Sequence, residues 1–251
     1  MTPTIPVEES ELDFDHGTFD SATFTAETLA SWQSLAPVID HTLLKPVATR
    51  KEIENLCDEA ALYRFACVMV NPAWAATAVG ALAGTGIAVG AVVGFPLGAS
   101  LVSTLRQEAA ALIRLGVREL DMILPIGQLK SGDHQAVQHT VRAVVNVAHH
   151  RGALVKVTLE TSLLTMEEKL RSSEIAIQAG ADFIKTSTGF TATGATAADV
   201  ALLRGVTGAR CGIKASGGIR TLAQVRELLA AGANRIGTSA SVAILRELGA
   251  K

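Results

Sequence analysis

From Pro37 onward this 251-residue chain repeats one motif, a short β-branched run followed by a longer amphipathic segment. The runs are PVIDHT (37–42), FACVMV (65–70), IAVGAVVG (87–94), RELDMILP (118–125), LVKVTLE (154–160), DFIKTS (182–187), CGIKAS (211–216) and RIGTS (235–239). Between them lie segments such as TRKEIENLCDEAALY, SLVSTLRQEAAALIRLG and TLAQVRELLAAG, several closing on the Gly expected just past a helix. Alternation of strand and helix is the mark of repeated βα units, whose strands lie parallel because a helix carries each crossover. Eight such units within residues 37–251 predict a (β/α)8 TIM barrel. An open doubly wound sheet is the alternative built from the same units.

No composition break or Ser/Pro-rich linker divides residues 37–251, so they are expected to form a single domain. Residues 1–36 read as an N-terminal extension, partly disordered or a short helix. The first 44 residues contain no Lys or Arg but carry Glu8, Glu9, Glu11, Asp13, Asp15, Asp20 and Glu27. This is the opposite of a secretory or transit peptide, and residues 1 to about 25 read as a poorly ordered acidic arm. Residues 65–105 carry no charge, but Asn71-Pro72, Gly84-Thr85-Gly86 and Gly94-Phe95-Pro96 cut them into pieces too short to cross a bilayer as one helix. A formal net charge of −2 without a Lys/Arg cluster argues against a nucleic-acid or membrane partner and for a small molecule. Cys57, Cys67 and Cys211 show neither disulfide-framework nor zinc spacing, so a reducing cytoplasm is the expected compartment.

In a barrel, strand residues alternate faces, and inward positions near the C-terminal strand ends line the active-site mouth. Asp40 and Thr42 end the first run, Asp121 lies in the fourth, Lys156, Thr158 and Glu160 alternate in the fifth, and Lys185 and Lys214 lie in the sixth and seventh. One lysine near a strand end reads as a snorkelling surface cation, and one aspartate as a turn or cap ligand. Three lysines and two aspartates on the strands of one small barrel read together as a charged active site.

Lys185 and Lys214 fall on adjacent strands about 4.8 Å apart, at comparable depth. Two ammonium groups at ~4 Å and an effective dielectric of ~20 repel by ~4 kcal/mol, or ~3 pK units. A lysine depressed that far is partly neutral near pH 7, and a neutral amine forms Schiff bases that act as electron sinks for C–C bond cleavage. Asp121 is the carboxylate placed to move protons. ASGGIRT after the seventh run and GTSAS after the eighth occupy the two loops where barrels most often hold a phosphate. Gly217, Gly218 and Gly237 let backbone N–H groups approach an anion, and Ser239 adds a hydroxyl; tight βα turns are the alternative reading.

IDHTLLKP, FACVMVNP, GFPLG, ELDMILP, LVKVTLET, ADFIKTSTGF, GIKASGGIRT and RIGTS occur in this order from Pro37 to the end. With them the chain resembles the deoxyribose-phosphate aldolase family of class I aldolases. These enzymes cleave 2-deoxy-D-ribose 5-phosphate to D-glyceraldehyde 3-phosphate and acetaldehyde in deoxynucleoside breakdown. The resemblance implies that Lys185 carries the Schiff base and that Lys214 perturbs it, joining Asp121 in a proton relay through a water. It further implies that Asp40 and Thr42 line the pocket near a substrate hydroxyl and that Lys156 belongs to the active-site network. Gly189, Gly217, Gly218, Gly237 and Ser239 would surround the phosphate. Thr188 is expected to order the pocket. Cys67 matches a pocket-lining cysteine of some members, with a small core residue as the other reading.

Two positions depart from part of that pattern. Phe190 stands where some members carry a lysine after KTSTG, and the chain ends in Leu248-Gly249-Ala250-Lys251 rather than in a tail with a proton-transferring tyrosine. The only tyrosine, Tyr63, is expected to pack in the helix after the first strand. No cofactor or metal is implied, because His16, His41, His134, His139, His149 and His150 lack ligand-like spacing, and His149-His150 reads as a solvated helix C-cap. The rival functions are a transaldolase-like or ketose-phosphate aldolase with another donor, and a phosphosugar-binding barrel without catalysis. A homodimer or higher homo-oligomer is the expected assembly.

Overall fold

Each β-branched run holds one strand in the computed structural model, which describes residues 18–251. The strands are β1 Ile39–Leu43, β2 Cys67–Val70, β3 Ala88–Val93, β4 Glu119–Ile123, β5 Leu154–Thr158, β6 Phe183–Lys185, β7 Gly212–Ser216 and β8 Arg235–Thr238. All pair in parallel with their sequence neighbours. β8 returns to β1 with Asp40 opposite Gly237, which closes the (β/α)8 barrel and removes the open-sheet alternative.

The described residues form the helices α1 Ser21–Thr28, α2 Trp32–Leu35, α3 Arg50–Tyr63, α4 Ala75–Ala81, α5 Val102–Arg114, α6 Ile126–Lys130 and α7 His134–His149. They continue with α8 Met166–Gln178, α9 Ala197–Thr207, α10 Leu222–Ala230 and α11 Ser241–Glu247. Local chemistry sets several starts: Thr49, Thr165 and Thr221 close capping boxes with Glu52, Glu168 and Gln224, so otherwise orphaned N–H groups gain acceptors.

Alternation along the strands sorts side chains into two cores. Outward residues such as Val68, Val70, Val93, Leu120, Met122, Val155, Val157 and Ile213 pack under the helices in one large apolar layer. The inward set is different. Cys67, Met69 and Val92, with Leu44, form a separate small apolar cluster on the β2–β3 side. Much of the remaining barrel interior is charged, with Ile123, Thr158 and Phe183 on the same inward faces, where a (β/α)8 barrel ordinarily packs branched apolar side chains.

Within the extension, α1 Ser21–Thr28 is a short helix. Residues 1–17 lie outside the described residues, but the acidic arm does not continue to about residue 25. Asp20 caps α1 by accepting from the N–H groups of Ala22 and Thr23, and α1 packs against α10. The Phe19 ring lies 4.1 Å below the Arg204 guanidinium of α9. An acid that reads as solvated is a cap, and a neighbouring aromatic supplies the anchor. Tyr63 ends α3 as a buried side chain, donating to the Lys251 carbonyl at 3.0 Å. His149 is not a free cap: its Nε2 pairs with Asp182 Oδ2 at 2.9 Å.

Candidate active site

Seven ionisable side chains from β1, β4, β5, β6, β7 and β8 meet inside the barrel. Asp121 Oδ2 accepts from Lys185 Nζ at 2.8 Å and from Lys214 Nζ at 2.6 Å, while its Oδ1 accepts from Lys156 Nζ at 3.1 Å. Asp40 Oδ2 pairs with Lys214 at 2.5 Å and Lys156 at 3.2 Å. Glu119 meets Lys156 at 2.5 Å. Arg235 spans the floor, donating to Asp40 at 2.6 Å and to Glu119 at 2.7 and 2.8 Å. Four cations thus face three carboxylates in a region almost closed to water.

That imbalance decides which group gives up its proton. Burial alone would raise the Asp121 carboxyl, but the charges of Lys156, Lys185 and Lys214 more than reverse this and hold it well below the usual carboxylate range. Asp40 is likewise held low against its burial by Lys156, Lys214 and Arg235. Lys156 touches three carboxylates, whose charges outweigh burial and hold its proton more tightly than usual. Lys185 has one carboxylate contact, shared with Lys214. Burial, opposed by Asp121 and reinforced by Lys214 and Lys156, brings it from 10.5 down to about 8. Repulsion by Lys214 therefore contributes, as the strand adjacency suggests, but burial is the larger cause.

β6 and β7 place this pair in direct register, Lys185 opposite Lys214. Gly237 on β8 makes room for the second lysine: a Cβ there would lie 2.9 Å from Lys214 Cε and 2.9 Å from Ser216 Cβ. Thr186 ties the ends of the two strands together, donating to the Ser216 carbonyl at 3.2 Å and accepting from its N–H at 3.1 Å. The next loop hangs on Glu160, a buried residue in the left-handed region with φ 60°. Its carboxylate accepts from the Thr188 N–H at 3.1 Å, from the Thr188 hydroxyl and from the Thr191 hydroxyl at 2.9 Å.

Above the charged layer a cavity of about 330 Å³ opens at the C-terminal strand ends, with Lys185 and Lys214 in its lining. Thr42, Thr188, Gly189, Gly217, Gly218, Gly237 and Ser239 line it as well. Gly217 adopts φ +91°, a conformation that L side chains rarely take, and Gly194 approaches so closely that a Cβ would fall 2.0 Å from the Gly217 oxygen. Asp40, Asp121, Lys156 and Cys67 lie deeper. Asp40 is fully buried beneath the lysines, and the Cys67 thiol sits among Met69, Val92 and Leu44, with its pKa pushed well up, first by burial.

The sequence reading passed over Glu119, Arg235, Lys45 and Arg220. Glu119 shares a strand face with Asp121 two residues on, which is a legible signal. Lys45 and Arg220 are exposed cations in the cavity lining, to which Phe190 also contributes. Phe190 instead packs edge-on against Phe95, with ring centroids 5.0 Å apart. Asp40, Cys67 and Glu119 also present three donor atoms within 4.8 Å. Lys156 and Arg235 already occupy those carboxylates, so the donor set is matched to ammonium and guanidinium groups rather than to a metal.

The profile of the DeoC/LacD family aldolases matches residues 12–247. A deoxyribose-phosphate aldolase from Geobacillus sp. (strain WCH70) is 50% identical over 212 residues, covering 84% of this chain and 95% of the relative. One from Bacillus mycoides (strain KBAB4) is 48% identical with the same coverage. Among solved structures, a tetrameric deoxyribose phosphate aldolase from Aeropyrum pernix superposes with a TM-score of 0.84 at 34% identity, over 91% of this chain and 96% of that one.

Proposed function

The chain belongs to the DeoC/LacD family of aldolases, and from that premise we propose that it cleaves 2-deoxy-D-ribose 5-phosphate reversibly, through an imine on Lys185, to D-glyceraldehyde 3-phosphate and acetaldehyde. The observation that carries the reading is the register pair Lys185 and Lys214, both donating to one oxygen of Asp121. With its pKa near 8, Lys185 is neutral in roughly one molecule in ten at pH 7, against about one in several thousand for an ordinary lysine.

The neutral amine adds to the C1 aldehyde of the open-chain sugar, and loss of water gives a protonated imine. Removal of the C3 hydroxyl proton then breaks the C2–C3 bond, whose electron pair moves into the imine and leaves an enamine. Glyceraldehyde 3-phosphate departs, the enamine takes a proton at C2, and water releases acetaldehyde and the free lysine. We assign both proton transfers to Lys214 and Asp121, acting through a water. Asp121 holds protons weakly, so it carries a proton only in transit and otherwise fixes both ammonium groups.

The phosphate subsite is assigned to Gly189, Gly217, Gly218, Gly237 and Ser239, with Lys45 and Arg220 giving the charge that Phe190 does not supply. Thr42 and Thr188 orient the sugar hydroxyls, while Asp40 and Lys156 support the lysine pair from below. A role in deoxyribonucleotide breakdown and a homo-oligomeric assembly accompany this reading. No helix among the described residues is long and apolar enough to cross a membrane.

Carbon NMR of 2-deoxyribose 5-phosphate incubated with the enzyme tests the assignment. Acetaldehyde and glyceraldehyde 3-phosphate in equal amounts are expected. A ketose product, or bound but uncleaved sugar phosphate, would overturn it.

A further inference from the structure

A larger cavity of about 570 Å³ lies away from the barrel mouth, on the outer wall between α5 and α7. Ala110 and Ile113 of α5 and Ala143 and Val147 of α7 form its half-buried floor. Arg106, Arg114, Arg142, Arg151, His139 and His150 form its exposed rim. Arg106, Arg114 and Arg151 make no ion pair or side-chain hydrogen bond among the described residues, and Arg142 reaches only the Gln178 carbonyl. Such a rim repels itself unless an anion covers it.

The chain carries a segment of matching chemistry. Five of its 24 acidic residues and none of its 22 basic ones fall in residues 1–17, so the described remainder has a formal charge of +3. Within that stretch, Glu11-Leu12-Asp13-Phe14-Asp15 alternates acid and apolar residues. Five extended residues span ~17 Å. The eleven-residue step from His139 to His150 along α7 gives the groove a length of ~17 Å as well. We propose that Glu11–Asp15 of a second copy of this chain lies in the groove. Leu12 and Phe14 face the apolar floor, and the long arginine side chains close over the three carboxylates from both edges.

Reach excludes the chain's own groove. Phe19 is fixed against α9, and α7, α8 and α9 pack side by side between it and the cavity. At helix spacings of 8–10 Å that separation is ~25 Å, whereas Asp15 reaches ~14 Å and Asp13 ~20 Å from Phe19. Two copies exchanging arms reciprocally satisfy both grooves in a closed pair.

The test mixes full-length Asp13→Cys with full-length Asn146→Cys under mild oxidation. The native cysteines are buried and do not compete. A disulfide-linked pair, with the 13–146 link identified by mass spectrometry, is expected. Its yield should fall about tenfold or more when the groove partner also carries Arg106→Glu, Arg114→Glu and Arg151→Glu, and return when the arm partner carries Glu11→Arg and Asp15→Arg. These positions lie outside the catalytic cavity, so retained aldolase activity reports that each variant is folded. No cross-link, an equal yield with Arg226→Cys on the exposed face of α10, or indifference to charge reversal would overturn the proposal.

Discussion

Lys185 and Lys214 share one oxygen of Asp121, so removing either changes what the other experiences. Lys214→Met deletes a charge that lowers Lys185 and leaves the shared oxygen to Lys185 alone; both effects raise its proton affinity. Reductive trapping of the wild type should therefore accelerate with rising pH and level off above about 8, and the midpoint should move upward in Lys214→Met. Superimposable profiles would show that the two lysines are not coupled. Lys156 anchors Asp40, Glu119 and Asp121 at once. Lys156→Met should cost about 3–5 kcal/mol in urea unfolding, whereas Lys185→Met, which leaves three cations facing three carboxylates, should unfold no more easily than wild type. The lysines were legible because charge inside an apolar run is conspicuous. Arg235 was not, and Glu119 was passed over despite sharing a face with Asp121, because each opens its strand, where a charged residue ordinarily meets solvent. Their contact crosses the barrel between residues 116 apart in sequence and exists only after closure.

At the scale of the elements, what matters is how strand ends and loops hold these side chains. Gly237→Ala places a methyl 2.9 Å from Lys214 Cε, so the lysine must shift. We expect kcat to fall about tenfold or more with a stability loss of about 1–3 kcal/mol, read by steady-state kinetics and thermal unfolding. Glu160→Gln weakens the acceptor that gathers Thr188 and Thr191. It should raise KM for the phosphorylated sugar more than it lowers kcat, and speed amide exchange at Thr188. All eight strands were readable from β-branched runs, but their ends were not. β6 stops at Lys185 although Thr186 and Ser187 continue its run, because the Thr186 side chain turns to the β7 backbone. The sequence allowed a short helix in the extension without placing it, because Asp20 reads as one more acid there and its capping role shows only once the helix behind it exists.

For the molecule as a whole, the closed barrel converts a periodic sequence into an interior whose charges do not balance, and one lysine at the mouth carries the excess. The eight βα units follow from periodicity and the closure from the β8–β1 pairing, but the balance depends on which faces of six strands look inward. The same closure brings Lys45 and Arg220, from opposite ends of the sequence, to one cavity. Lys45→Ala with Arg220→Ala should raise KM for 2-deoxyribose 5-phosphate and leave turnover of unphosphorylated deoxyribose nearly unchanged, as measured in parallel cleavage assays. Equal losses on both substrates would remove these cations from the phosphate subsite. The central claim, that Lys185 is the imine-forming amine, is tested most directly by intact-protein mass spectrometry after borohydride reduction in the presence of 2-deoxyribose 5-phosphate. A single adduct in the wild type, absent from folded Lys185→Met, is the predicted result. An adduct that persists in that variant, or none in the folded wild type, would contradict it.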